Sequence, residues 1–294
     1  MSQSKLEINT LLAKRLVASQ FPNWKDLPIY PVASSGWDNR SFHLGDEMLI
    51  RIPSSADYAL QVEKEHYWLP KLSGSLPLKI PTPLRLGYPD QGYPWNWSIY
   101  SWIDGASACL KNIKDLNDFA SALAQFLKAF ESIDASLGPP PGLHSFYRGG
   151  PLKTYNTEVR RAIEALQNKT DSKALTAIWE QALASENEKK PVWVHGDLSP
   201  GNLLVADGKL VAVIDFGQLT VGDPACDLVI AWNLFFKESR ALFRKSLDLD
   251  EKTWMRAKGW ALWKALIAAA GFVNPGNFES NRCWQIIQEI LEDE

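Results

Sequence analysis

The spacing of apolar positions changes several times along the chain, and the changes divide it. Leu6, Ile8, Leu11, Leu12, Leu16 and Val17, interleaved with Lys5, Glu7, Lys14 and Arg15, mark an amphipathic helix at the start. Ile29 to Ala33, Ser41 to Leu44 and Met48 to Ile52 then read as short strands. The turn SSGWDN lies between the first two, with Gly36, Asp38 and Asn39 as its turn formers. Ala56 to Leu72 returns to helical spacing, with Leu60, Val62, Trp68, Leu69 and Leu72 apolar and Glu63, Lys64 and Glu65 grouped as a solvated face. Leu84 to Gly87 and Trp97 to Ile103 are two further strands across a turn rich in proline and glycine.

From Asp115 onward long helical segments dominate: 115–134, 154–167, 171–185, 223–237, 251–270 and 277–292. Three short strands interrupt them, Val192 to Val194, Leu203 to Val205 and Val211 to Ile214, with Asp207-Gly208 as a hairpin signal. The pattern predicts an α+β fold. A mostly antiparallel sheet lobe over 1–103 precedes a larger helical lobe over 104–294 that carries a small embedded hairpin, and a ligand is expected in the cleft between such lobes.

Composition narrows the function. Hydrophobic residues at 46% and charged residues at 22% belong to an ordinary globular chain. A net charge of -3 lacks the basic field that a non-specific nucleic-acid binder needs. Cys109, Cys226 and Cys283 are too few and too widely spaced for a disulfide framework or a metal knuckle, which fits a reducing cytoplasm. The strongest apolar run, Trp260 to Val273, contains Lys264 and is shorter than the roughly 20 residues of a membrane span. Neither a nucleic-acid nor a membrane partner is expected, and oligomeric state is not legible.

The chemistry concentrates in Val192 to Leu228, VWVHGDLSPGNLLVADGKLVAVIDFGQLTVGDPACDL. Its buried-looking strands bracket His195, Asp197, Asn202 and Asp215. Phosphoryl transfer to a hydroxyl calls for this set: one carboxylate to orient the attacking alcohol and accept its proton, and a few oxygen ligands for Mg²⁺ that leave room for phosphates. Asp197 supplies the first; Asn202 and Asp215 supply the second. The competing reading makes these ordinary turn residues, but turn chemistry does not demand this order. His195 is better read as a packed, hydrogen-bonded residue than as a proton carrier.

HGDLSPGN, VIDFG and GDPACDL together resemble the aminoglycoside phosphotransferase family, relatives of the protein kinases, and the resemblance extends over the whole chain. It implies a bilobal protein-kinase-like fold and ATP with Mg²⁺ as cofactors, GTP not being excluded as donor. It places Ser35 and Gly36 of SSGWDN over the phosphates, Arg51 on the α- and β-phosphates with Glu65 as its partner, and the Ser101 carbonyl and Ile103 N–H on adenine. Arg51 stands where kinases generally carry lysine. Asp227 becomes a brace for the catalytic loop, and Asp223 a structural residue.

The acceptor is then a small molecule with a hydroxyl group. An aminoglycoside-like antibiotic and a metabolic alcohol such as choline, homoserine or a thiosugar share the same phosphate and metal machinery. A non-catalytic nucleotide-binding scaffold is the remaining alternative. Glu158, Glu238, Glu289, Glu292, Asp293 and Glu294 are candidates for holding a polyamine sugar, although each also reads as a solvated charge. Trp232, Trp254, Trp260, Trp263 and Trp284 could stack on a sugar, but the i, i+3 spacing of Trp260 and Trp263 favours core packing.

Overall fold

The structure, a computed structural model, describes residues 7–33, 38–273 and 276–292, the side chains of 276–281 excepted. The chain separates into two compact units. The first comprises the residues up to Gly105 together with Ala212–Gly217; the second comprises Ala106–Val211 and the chain from Gln218 onward. A division at 103/104 by sequence position does not include that return of six residues, Ala212 to Gly217, to the first unit.

In the first unit, helix α1 (Thr10–Gln20) starts where the Asn9 side chain accepts the Leu12 N–H at 3.0 Å, a cap of the kind that contributes about 1 kcal/mol. Strands β1 (Ile29–Pro31), β2 (Asn39–Leu44), β3 (Met48–Pro53), β4 (Pro83–Gly87) and β5 (Trp97–Ser101) form one sheet in the order β1-β2-β3-β5-β4, every neighbouring pair antiparallel. Strand alternation sorts β3: Ile50 and Ile52 join the core with Leu12, Leu16 and Val17 of α1, while Arg51 between them points to the other face with 11% of its side chain exposed.

Helix α2 (Ala56–Leu72) follows β3 and buries Gln61, Val62, Glu65, Leu69 and Leu72, a stripe at helical spacing. Glu65 therefore does not belong to the solvated face that its neighbours in sequence suggest; it is 4% exposed. Its place on the i, i+4 row between Gln61 and Leu69 turns it inward, where a cation must meet it.

The second unit opens with β6 (Ala106–Ser107) and helix α3 (Leu116–Ser132), capped by Asp115 on the Asn117 and Asp118 N–H groups. Helices α4 (Asn156–Ala165) and α5 (Ser172–Ala184) follow, then β7 (Val192–Val194), β8 (Leu203–Ala206), β9 (Lys209–Val213) and β10 (Thr220–Gly222). β7 pairs antiparallel with β10, and β6-β8-β9 form a three-stranded sheet, the division between the units falling within β9. Asp207 and Gly208 both take positive φ, 51° and 79°, as a two-residue hairpin requires.

The segment expected as one helix over 223–237 is instead a 3₁₀ turn (Pro224–Val229) and a single α-turn, α6 (Ile230–Asn233). Helix α7 (Lys237–Leu247) was not expected at all; its buried face is only Ser239, Phe243 and Leu247. Helix α8 (Glu251–Ala269) is buried almost all round, and α9 (Gly276–Glu292) closes the chain. Among the described residues no helix is long and apolar enough to cross a membrane.

Candidate active site

β7 delivers His195, Gly196 and Asp197 at its C-terminal end, and the loop that follows is held from below by one buried carboxylate. Asp227, 2% exposed, accepts the His195 N–H at 2.6 Å on Oδ2 and the Gly196 N–H at 2.8 Å on Oδ1. Burial pushes its carboxyl up, against the pull of His195 and of the two N–H groups. Gly196 sits at φ 85°, and a Cβ there would stand 2.7 Å from the Gln218 carbonyl oxygen, so no other residue fits the turn without displacing backbone. The ring of His195, fully buried, accepts the Asp197 N–H on Nδ1 at 3.2 Å.

Asp197 is thus fixed through its backbone on both sides. Asn202, which ends the 3₁₀ turn Pro200–Asn202, donates its Nδ2 to the Asp197 carbonyl at 2.8 Å. The Asp197 side chain keeps 31% of its surface open and meets Lys264 of α8, whose Nζ lies 2.6 Å from Oδ1. Burial pushes this carboxyl up, but the Lys264 ammonium, followed by the Arg148 guanidinium, outweighs it and brings the pKa down to about 2. Asp197 is therefore ionised at neutral pH, and Oδ2 remains for a second partner.

A cavity of about 280 Å³ opens beside it. Arg148, Asp197, Gln218 and Lys264 line its polar side; Trp263, Ile267, Val273 and Ile286 contribute apolar surface. Trp263 is both core and wall: its Nε1–H donates to Glu158 at 2.9 Å, and Arg148 lies 4.2 Å above its ring.

In the first unit Arg51 joins two carboxylates. Its Nη2 donates to Asp215 Oδ1 at 2.6 Å and its Nη1 to Glu65 Oε1 at 3.4 Å, while Glu65 Oε2 accepts the Tyr100 hydroxyl at 2.7 Å. Burial alone would lower the arginine's pKa, but Asp215 and Glu65 outweigh it and hold the guanidinium charged. Burial pushes Glu65 up while Arg51 pulls it down. Asp215 itself has φ 66°, a left-handed backbone rare outside glycine and asparagine-like residues, at the point where β9 has ended and the 3₁₀ turn Phe216–Gln218 begins. Lys64 donates to the Gly217 carbonyl at 2.9 Å, and burial takes its pKa down to about 7.

Asn202 and Asp215, one in each unit, each carry an oxygen donor of the kind Mg²⁺ takes. Nδ2 of Asn202 is taken by the Asp197 carbonyl, which leaves its amide oxygen as an acceptor, and Asp215 keeps Oδ2 beyond its bond to Arg51. Among the described residues no cluster of three or more His, Cys, Asp or Glu side chains could hold a metal ion.

Ser35 and Gly36 lie outside the described residues. Ser101 ends β5, its N–H donating to Thr82, and Ile103 follows two residues later. Lys264 and Arg148 were absent from the residues that motif reasoning singled out. One signal pointed to Lys264: a lone cation in the apolar run of α8, on a helix otherwise buried nearly all round. Nothing in the local sequence of Arg148 marks it.

Comparison with known proteins defines the class. The solved complex of an APH(2″) enzyme with GDP and kanamycin superposes with a TM-score of 0.73 at 18% identity, covering 97% of this chain and 99% of that one. Macrolide 2′-phosphotransferase type I superposes with a TM-score of 0.60 at 18% identity, covering 97% and 99%. The fold is that of the kinase-like α+β phosphotransferases. Residues 30–264 match the model of the phosphotransferase enzyme family, and the chain belongs to that family. Aminoglycoside 3′-phosphotransferase of Escherichia coli is 46% identical over 43 residues, a stretch that spans 15% of this chain and 16% of that relative.

Proposed function

We propose that the chain is an ATP- and Mg²⁺-dependent phosphotransferase that moves the γ-phosphate to a hydroxyl of a small molecule, acting in the cytoplasm, where its three cysteines stay thiols. The observation that carries the reading is the state of Asp197. Its backbone is clamped by His195 and Asn202, its carboxylate is ionised, and one of its oxygens is open beside a cavity of small-molecule size.

In this reading an acceptor hydroxyl enters the cavity and donates to Asp197 Oδ2, which orients the oxygen and takes its proton as the new P–O bond forms. The Asn202 amide oxygen and Asp215 would hold Mg²⁺, which when bound neutralises charge on the phosphates. Arg51 places a planar, permanently charged fork beside Asp215 and suits it to phosphate oxygens, with Glu65 and Tyr100 keeping it in position. The Ser101 carbonyl and Ile103 N–H are assigned to adenine, and Ser35 and Gly36 to the phosphate loop. A guanine base is also compatible with backbone contacts of this kind, and the solved relative holds GDP.

The relatives' names include aminoglycoside and macrolide phosphotransferases, which supports an acceptor that is a compact hydroxylated molecule. Nucleotide turnover by the purified protein, measured with Mg²⁺ and ATP or GTP across aminoglycosides, macrolides, choline, homoserine and thiosugars, tests the reading. Stimulation by a hydroxylated small molecule supports it; absence of nucleotide binding refutes it.

A further inference from the structure

The cavity beside Asp197 has the wrong sign for a polycation. Among the described residues its lining carries three cationic side chains, Arg148, Lys264 and Arg282, against the single carboxylate of Asp197. Among the described residues none of the acids that the sequence offers for holding amines lies on its wall: Glu158 is taken by Trp263, and Glu289 pairs with Arg240.

Lys264 neutralises Asp197, so the two arginines are in surplus. Neither forms an ion pair among the described residues. Only the Nε–H of Arg148 finds a protein partner, Gln218 at 2.9 Å, and its Nη1 is buried with none. Arg282 donates from Nη2 to the Trp232 carbonyl at 3.1 Å, and its Nε is likewise buried and unpartnered. The other terminal nitrogens, Arg148 Nη2 and Arg282 Nη1, have no hydrogen-bond partner among the described residues and are not fully buried, so they are the donors left for an anion. Arg148 is also braced against the Trp263 ring at 4.2 Å, so its fork is held in place before any ligand arrives.

We propose that this cavity selects an acceptor that carries an anionic group, a carboxylate or a phosphate ester, gripped by Arg148 and Arg282 while its hydroxyl faces Asp197 and its apolar body lies against Trp263, Ile267 and Ile286. The inference deepens the phosphotransferase reading and rests on it for the role of the hydroxyl. The apolar share of the lining sets the site apart from one that meets only the phosphates of a nucleotide. The volume of about 280 Å³ sits at the lower end of small-ligand sites and matches a compact acid.

A matched series of probes tests it: para-hydroxymethylbenzoate, para-hydroxymethylphenyl phosphate, para-hydroxymethylbenzamide and para-hydroxymethylbenzylamine, differing chiefly in charge. Binding to the full chain is followed by ligand-observed NMR without nucleotide, and phosphoryl transfer separately with ATP and Mg²⁺. The expected result is that at least one of the two anions binds about tenfold or more tightly than the amide and the amine. That preference should fall in Arg148→Gln and Arg282→Gln and return in Arg148→Lys. The relative strength of carboxylate and phosphate ester tells which anion the site takes. Equal or tighter binding of the amine, no binding of any probe in the millimolar range, or a preference that survives both glutamine variants would overturn the inference. Transfer to the amine in preference to the acids would overturn the inference and leave the phosphotransferase reading intact. Selective binding of an acid without transfer would support the anion site and count against the reading of Asp197.

Discussion

Lys264 Nζ lies 2.6 Å from Asp197 Oδ1, so a side chain from the largely buried helix α8 closes one face of the carboxylate proposed as catalytic base. The pairing does two things. It keeps Asp197 ionised despite its surroundings, and it leaves Oδ2 as the oxygen that an acceptor hydroxyl can use.

Lys264→Met removes the largest influence that lowers the Asp197 pKa, while the burial that raises it remains. A carboxylate held near 2 stays ionised through the usual assay range; without the ammonium it protonates at higher pH. The acid limb of kcat/KM is therefore expected to move upward by at least about one pH unit in Lys264→Met, read from a pH–rate profile between pH 4 and 8. An unchanged limb would mean that Asp197 does not depend on Lys264 for its charge.

Asp227 satisfies two buried N–H groups at once, those of His195 and Gly196. Asp227→Ala leaves both donors without an acceptor, at a cost of about 1–3 kcal/mol for each unsatisfied group. Thermal unfolding should show a Tm lower by several degrees, and kcat should fall even at temperatures where the variant is folded, because the loop that presents Asp197 has lost its brace. A fall in Tm with kcat unchanged would separate the brace from the chemistry.

Glu131 in α3 titrates where few carboxyls do. Burial, with Asp227 and Asp223 adding to it, pushes its pKa up to about 7 against the opposing pull of Lys189 and Lys128. In the unfolded chain a glutamate releases its proton near about 4.3. Between those values the folded form holds the proton and the unfolded form does not, so this residue subtracts stability as pH rises through that window, and the loss is complete above about 7. Glu131→Gln should raise Tm at pH 8, change it little at pH 4, and flatten the slope between. A Tm that falls in the variant at pH 8 would reverse the sign of this account.

Much of the candidate site is proposed from the sequence itself, because phosphoryl chemistry calls for particular residue types at short spacing. Asp197, Asn202 and Asp215 sit within one stretch of sequence, and the hairpin signal Asp207-Gly208 lies between them as expected. Arg51 and Glu65 were reachable only through resemblance. Local patterning put Glu65 on a solvated face, since a charged triplet hides which member lies on the buried row. Arg148 and Arg282 escaped, and Lys264 was noted only as a charge in an apolar run, because Arg148 lies far from the other two in the chain and only packing brings the three to one cavity. Helix α7 escaped for a related reason: a helix whose buried face is Ser239, Phe243 and Leu247 carries too few apolar residues to stand out.

The central claim is that Asp197 acts on an acceptor hydroxyl during phosphoryl transfer. Its most direct test is Asp197→Asn, which keeps the size of the side chain and removes its capacity to accept a proton, compared with the parent protein for nucleotide affinity and for acceptor-stimulated nucleotide turnover with Mg²⁺. The account predicts that turnover falls by about 10²-fold or more while nucleotide affinity stays within about threefold. Turnover that survives the substitution would contradict it.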